Sequence, residues 1–191
     1  MKHVKNIFYL IFFLLVNPIT LSAQLENDST QLRIQQINTW YGEAQEARKN
    51  GTLIQLDTNW VEIELYEEEK VAFPKIRKFT QITDEISLIE IEAFEFDGGN
   101  NIELYLHNGE PFFLFSYGGA ESYYFENRLY FNTKGFCIRF LERNNEGNPD
   151  IEDFESLPYN ILNPTDPNFK LTIDYYQKEL AEFGHEGLIL K

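Results

Sequence analysis

Histidine is the side chain most often used for proton transfer and for zinc, and beyond residue 23 this chain has only two, His107 and His185. A zinc site built from two or three histidines is therefore not expected. His107 falls on the polar positions of a predicted strand, next to the turn sequence Asn108-Gly109, where a solvated histidine is common. A catalytic role for His107 stays an alternative to that structural role.

The only cysteine, Cys137, alternates with Phe136, Ile138 and Phe140, which predicts that it lies on the face opposite to these core residues. A nucleophilic thiol needs an imidazole within reach and a group that lowers its pKa, and the neighbouring sequence offers neither. The pattern therefore indicates a small, half-buried packing residue.

Two loops are rich in the oxygen atoms that calcium prefers as ligands. Residues 142–153 place acidic and amide side chains at the spacings of an EF-hand loop, but Pro149 interrupts the loop and a predicted strand precedes it. Residues 97–103 combine oxygen donors with good turn formers. We expect ordinary polar turns at both places, with a weak calcium site as the alternative, and we predict no metal and no cofactor.

Motifs for common enzymatic reactions are missing from the sequence: there is no nucleophile elbow, phosphate-binding loop or dinucleotide fingerprint. Close acid pairs such as Glu90 with Glu92 are unavoidable among 31 Asp and Glu residues, and they do not by themselves indicate glycoside hydrolysis. The net charge of −15 disfavours nucleic acid and is compatible with a cationic partner. The sequence favours a protein that is not an enzyme, with a carboxylate-dependent hydrolase as the alternative.

The N-terminus predicts export. Lys2 and Lys5 precede an apolar run over residues 7–16, and small residues follow up to Ala23, which is typical of a secretory signal peptide. Ten apolar residues rise only about 15 Å as a helix, about half the thickness of a bilayer core. We predict a signal peptide over residues 1–23 and a single α+β domain over residues 24–191, periplasmic or secreted, with no transmembrane segment in the mature chain.

Two amphipathic helices are predicted at the ends of that domain. The first runs from Asp28, a potential N-cap, to a stop at Gly51, and the second begins at Asp166-Pro167 and stops at Gly184. Residues at helical spacing on the second helix form one apolar stripe: Phe169, Ile173, Tyr176, Leu180 and Phe183.

Between the helices the apolar period changes to two, which predicts half-buried antiparallel strands; Ile102, Leu104 and Leu106, for example, alternate with more polar residues. Four turn signals separate the strands and leave no room for a crossover helix: Asp97-Gly98-Gly99-Asn100, Asn108-Gly109, Gly118-Gly119 and Thr133-Lys134-Gly135. A change of face predicts a bulge or a strong twist near Ala93, and residues 143–167 are predicted to be loop. The fold class is α+β: an antiparallel β-meander of six to eight strands, flanked by an N-terminal and a C-terminal amphipathic helix.

Two short motifs carry a resemblance, Tyr123-Tyr124-Phe125-Glu126-Asn127 and Gly135-Phe136-Cys137-Ile138-Arg139-Phe140-Leu141. With the leader and the first helix, they make the chain similar to a group of exported bacterial proteins with an N-terminal helix followed by an antiparallel β-meander. The resemblance covers most of the mature chain and implies the fold and the export, but no activity.

Aromatic residues occupy both faces of the strands predicted within residues 111–132, so both faces need cover. One helix on each side, or tyrosine pairs with their hydroxyls in water, would provide it. The remaining alternative is a functional surface, because aromatic rings give large contact area at low entropic cost. We predict that five residues form a sheet-face patch for a protein partner or a homo-oligomer: Phe113, Phe115, Tyr117, Tyr124 and Tyr130. The expected function is binding or interaction after export, with a structural envelope component as a further alternative.

Overall fold

The structure, a computed structural model, describes residues 28–51, 53–66, 71–95, 98–146, 154–185, 187–188 and 190–191. The predicted signal peptide and residues 147–153 of the calcium-like loop lie outside this part of the chain. Two compact units are present, Met1–Asn38 and Thr39–Lys191, and the architecture below is that of the second. A single domain over residues 24–191 stays a prediction.

The predicted α+β fold is confirmed. One sheet of eight antiparallel strands follows the chain order from β1 to β8. The strands are β1 Ile54–Tyr66, β2 Val71–Gln81, β3 Ile86–Glu95, β4 Gly98–His107, β5 Glu110–Ala120, β6 Tyr123–Phe131, β7 Cys137–Asn144 and β8 Asn160–Leu162. Helix α1 covers residues 28–50 and helix α2 covers Pro167–Glu182.

The ends of the helices follow the predicted capping chemistry with one exception. The Asp166 side chain caps α2 by accepting a hydrogen bond from the Asn168 backbone N–H, and Gly184, just beyond the helix, has a φ of 79°. Gly51 ends α1 with a φ of 70°. Asp28, predicted as the N-cap of α1, is already helical.

Each face of the sheet is covered by one helix within the second unit. The stripe of α2 packs on the face that carries Leu104 and Leu114, and all five of its predicted residues are buried. Residues 39–50 of α1 cover the opposite face, where the Tyr41 ring lies 4.6 Å from that of Phe113 and 5.2 Å from that of Tyr105, measured between centroids. Burial of each large apolar side chain contributes roughly 1.5–3 kcal/mol, so both interfaces are substantial.

The structure corrects four predictions about the sheet. Strands β3 and β4 pair without a break at Ala93, and bulges occur instead between Tyr105 and Leu106 and between Tyr130 and Phe131. Residues 98–103, predicted to belong to a polar turn, are the first residues of β4. The segment predicted to be loop contains the end of β7, a 3₁₀ turn at Phe154–Ser156 and the short strand β8. Gly118-Gly119 is not a turn but the end of β5, and the turn follows at residues 121–122.

Gly118 and Gly119 serve close backbone approach instead of turn geometry, since neither has a positive φ. A Cβ atom on Gly119 would lie 2.1 Å from the Tyr123 carbonyl oxygen, and one on Gly118 would lie 2.3 Å from the Gly99 carbonyl oxygen. In the neighbouring strand Gly99 pairs with Gly119. This corner of the sheet, formed by Gly99, Gly118 and Gly119 and called the glycine corner below, carries no side chains at these positions and has open space on both faces.

Candidate functional site

The five residues of the predicted aromatic patch fall into two groups. Phe113 and Tyr130 are 2 % and 6 % exposed, because Tyr41 packs over Phe113, whose ring in turn contacts Tyr130. Tyr117 and Tyr124 are 42 % and 50 % exposed, and Phe115 is half-buried between the two groups. The structure thus brings Phe115, Tyr117 and Tyr124 together at the surface and places the other two in the interior.

The three accessible rings line a groove of about 500 Å³ on the sheet face that residues 39–50 of α1 also cover. Its floor is the bare backbone of Gly118 and Gly119, and Phe154 forms part of its opposite wall. We call this the aromatic groove. Its volume is that of an ordinary ligand site.

The polar wall of the aromatic groove is an ion network centred on Glu126, which is 6 % exposed. Arg128 donates to its carboxylate at 2.7 Å, Arg143 donates to it at 3.0 Å, and the Tyr159 hydroxyl donates a further hydrogen bond. Burial would raise the pKa of Glu126, but the hydrogen bonds from Tyr159, Arg143 and Arg128 outweigh it and hold the pKa below its usual range.

The arginines of this network also lie over aromatic rings. The Arg128 guanidinium carbon is 5.5 Å from the Phe115 ring centroid and 5.0 Å from that of Tyr159. Arg143 is 5.0 Å from the ring centroid of Phe154 and 4.8 Å from that of Tyr159. The groove therefore already holds cations against ring faces by the cation–π interaction.

Glu126→Gln should destabilise the protein by about 1–3 kcal/mol at pH 7, because two arginines and a tyrosine lose a charged acceptor. Since the folded-state pKa of Glu126 is lowered, its contribution is complete above about pH 4.5 and is lost as the pH falls through the folded value. Urea unfolding at pH 7 and pH 3 should show the variant's deficit shrinking at acidic pH. The control is Glu155→Gln, an exposed acid at the same groove; a deficit of equal size at both pH values would contradict the assignment.

An acidic cluster adjoins the aromatic groove at Tyr117. Glu90, Glu92 and Glu103 line a small cavity of about 140 Å³ together with Arg48 and Tyr117. Arg48 donates to Glu103 at 2.9 Å and to Glu90 at 3.1 Å. Burial raises the pKa of Glu90, and the negative charges of Glu103 and Glu92 raise it further against the opposing effect of Arg48.

A second pocket, of about 510 Å³, lies on the opposite face between α2 and the glycine corner of the sheet. We call it the α2 pocket. Its wall contains the rings of Tyr123, Phe125 and Tyr175, and its polar residues include Asn127 and Glu142.

The polar residues of the α2 pocket continue a row that crosses an otherwise apolar face. Ser116 pairs with Asn127 across β5 and β6, and Asn127 pairs with Glu142 across β6 and β7. Sequence reasoning missed this row, although a signal existed: each residue stands two positions from a core residue, namely Leu114, Leu129 and Phe140, where the alternation would place another apolar side chain.

The remaining candidates do not form reactive sites. Cys137 packs against the core beneath α2, because the bulge at Ile138 shifts the alternation of side chains along β7. Phe136 is exposed in the preceding turn. The prediction that Cys137 lies on the face opposite to the core residues was therefore wrong. Burial raises the pKa of the Cys137 thiol to about 12, which opposes a nucleophilic role. His107 is not freely solvated: its ring stacks on Trp40 at 3.8 Å between centroids, and its Nε2 lies 3.1 Å from a Glu85 carboxylate oxygen.

Among the described residues, no three histidine, cysteine or acidic side chains are grouped closely enough to hold a metal ion. None of the helices in this part of the chain has the length and apolar character needed to cross a membrane. Comparison with protein-family models, with curated proteins and with solved structures gives no match.

Proposed function

We propose that this protein is an exported, non-enzymatic binding protein that docks a basic segment of a protein partner in the aromatic groove. The observation that carries the proposal is the exposure of Tyr117 and Tyr124 beside a groove of about 500 Å³, on a face where neighbouring aromatic residues are buried. Exposed aromatic clusters rimmed by polar residues are typical of interaction sites.

The chemistry of the groove favours a cationic partner. Arg128 and Arg143 show that ring faces in this groove accept guanidinium groups, and the exposed rings of Tyr117 and Tyr124 offer further faces of the same kind. The acidic cluster next to Tyr117 adds negative potential, as does the net charge of −15. A second copy of this chain would carry the same negative charge, which disfavours self-association as the main use of the groove.

A carboxylate-dependent hydrolase has less support. Such an enzyme needs two carboxyl groups with separated pKa values at one substrate. Glu126, with a lowered pKa, and Glu142, with a raised pKa, point to opposite faces of the sheet. A structural envelope component would give no reason for the exposed pair of tyrosines.

The test replaces Tyr117 and Tyr124 together with serine and measures binding of a fluorescein-labelled peptide of alternating arginine and glycine by fluorescence anisotropy. We expect the double variant to bind at least tenfold more weakly, because each lost ring removes contact area and a cation–π partner worth about 0.5–1 kcal/mol or more. Both residues are largely exposed, so the melting temperature should change little.

The matched control is Phe94→Ser with Phe136→Ser, two aromatic residues of similar exposure outside the groove. This variant should keep the affinity of the unchanged protein, because it leaves the groove intact. Non-specific attraction to an acidic surface does not depend on the groove, so it would leave both double variants with the same affinity. Equal affinities for both double variants would refute the proposal. Sedimentation velocity tests the other occupant: a dimer that only the tyrosine variant dissociates would assign the groove to self-association and overturn the choice of a basic partner.

A further inference from the structure

The α2 pocket, on the opposite face from the aromatic groove, has acceptor atoms without donors. Asn127 is 7 % exposed, and its Nδ2 donates to the Tyr176 hydroxyl at 2.9 Å. Its Oδ1 is buried without a hydrogen-bond partner in the described part of the structure. Buried polar atoms are almost always satisfied, so an unpaired acceptor in a pocket wall points to a missing donor.

Glu142 is the cross-strand neighbour of Asn127 and the only charged residue among the described residues that line the pocket. Opposite residues in an antiparallel pair have Cβ atoms about 4.5–5.5 Å apart, so one donor group can reach both side chains. No described residue donates a hydrogen bond to the Glu142 carboxylate or forms an ion pair with it. The two acceptors therefore lie on neighbouring strands, and no cationic side chain of the described residues pairs with either of them.

The surroundings of Glu142 strengthen the need for positive charge. Burial raises the pKa of this carboxyl, and the negative charges of Asp166, at the N-cap of α2, and Glu146, beyond β7, raise it further. Burial also raises the pKa of Tyr123 in the same wall, as do Glu142 and Glu146. A bound cation would relieve this concentration of negative potential.

We infer that the α2 pocket binds a small organic cation whose primary ammonium or guanidinium group donates to Asn127 Oδ1 and to the Glu142 carboxylate. The rest of the ligand lies against the rings of Tyr123, Phe125 and Tyr175, which offer apolar contact and cation–π attraction. A quaternary ammonium fits less well, because it has no N–H for Asn127. A calcium ion also fits less well, because it needs six to eight oxygen ligands and the described residues of the lining supply a single carboxylate.

The experiment is isothermal titration calorimetry with three probes of one shape: benzylamine, neutral benzyl alcohol and anionic benzoate. Benzylamine should bind at least tenfold more tightly than the other two. Nα-acetyl-lysine N-methylamide, titrated in parallel, represents a lysine side chain, whereas benzylamine represents a free amine. Binding of either amine supports the cation site, and the amine that binds more tightly indicates which of the two supplies the ammonium group. Failure of both amines to bind at 20 mM, or equal binding of benzyl alcohol or benzoate, would overturn the inference.

Two variants with the same change of charge locate the binding. Glu142→Gln should remove the preference for the amine, whereas Glu110→Gln, an exposed acid that neither lines the pocket nor is among the charges acting on Glu142, should leave the dissociation constant within about twofold. Glu142→Gln is not expected to unfold the protein, because it removes a half-buried charge that has no partner. A retained preference in Glu142→Gln would place the amine elsewhere. Since neither Tyr117 nor Tyr124 lines this pocket, failure here and failure of the aromatic groove are distinguishable.

Discussion

Replacing Gly119 with alanine is expected to lower the free energy of unfolding by about 3–5 kcal/mol, at or above the upper end for overpacking. The added Cβ would lie 2.1 Å from the Tyr123 carbonyl oxygen and 3.0 Å from the Tyr124 ring. The nearest obstacle is backbone in the adjoining strand, so a side-chain rotation cannot relieve it. For a domain of this size, the melting temperature should fall by roughly 6–20 °C, measured by circular dichroism.

The control for this variant is the same substitution at Gly42. Gly42 is exposed within α1, and a Cβ there would meet nothing within 4 Å. Gly42→Ala should stabilise the protein by roughly 0.5–1 kcal/mol, because alanine loses less backbone entropy in a helix. If Gly119→Ala were as well tolerated as Gly42→Ala, this result would contradict the close approach of the strands at the glycine corner.

Arg48→Ala is expected to cost about 2–4 kcal/mol, because it leaves a buried carboxylate without its cation. Arg48 donates to Glu103 at 2.9 Å and to the Tyr105 hydroxyl at 2.8 Å, and that hydroxyl donates to Glu103 at 2.6 Å. Glu103 is 7 % exposed and Tyr105 is fully buried. Urea unfolding at pH 7 measures the loss, which falls below that of a fully buried pair because Arg48 is itself partly exposed.

Two further variants test whether the loss of stability comes from the unpaired carboxylate of Glu103. Adding Glu103→Gln to Arg48→Ala should restore part of the lost stability, because the unpaired charge disappears. Lys170→Ala, which removes the cation of the exposed pair with Asp174, should leave the unfolding curve unchanged. A double variant no more stable than Arg48→Ala would show that the loss comes from helix packing and not from the buried charge.

Local chemistry made the elements of the fold predictable. Asp166 and Pro167 begin α2 because a side-chain acceptor and a fixed φ serve the first helical turn wherever the helix is placed. Asn108 and Gly109 form their turn, with φ values of 52° and 82°, because few other residues accept that backbone. Such preferences depend on a few neighbouring residues, so a single sequence reveals them.

Two of the predictions that failed concern how neighbouring strands pair. Gly118-Gly119 looks like a turn in sequence, but Gly118 allows close approach to the backbone of β4 and Gly119 to that of β6, which only the pairing of the strands defines. The bulge that moves Cys137 into the core likewise depends on how β7 pairs with β6. A period of two predicts alternation along a strand but not the point where one residue is inserted.

The candidate sites also combine features that the sequence predicts with features that only the tertiary structure decides. The concentration of aromatic residues over 111–132 could be read from the sequence, but which rings remain exposed depends on how far residues 39–50 of α1 extend over the face. The polar row of Ser116, Asn127 and Glu142 comes from three strands and becomes a site only when register aligns them.

By itself, the sequence determined both helices with all but one of their predicted end signals, two of the four predicted turns, the antiparallel meander and the acidic charge, because each depends on short-range geometry or on composition. The tertiary structure alone decided which helix covers which face, where the glycine corner opens two pockets, and which charges lack partners. These features depend on contacts between residues that are distant in the chain, and the separation of such residues in sequence does not predict their distance in space.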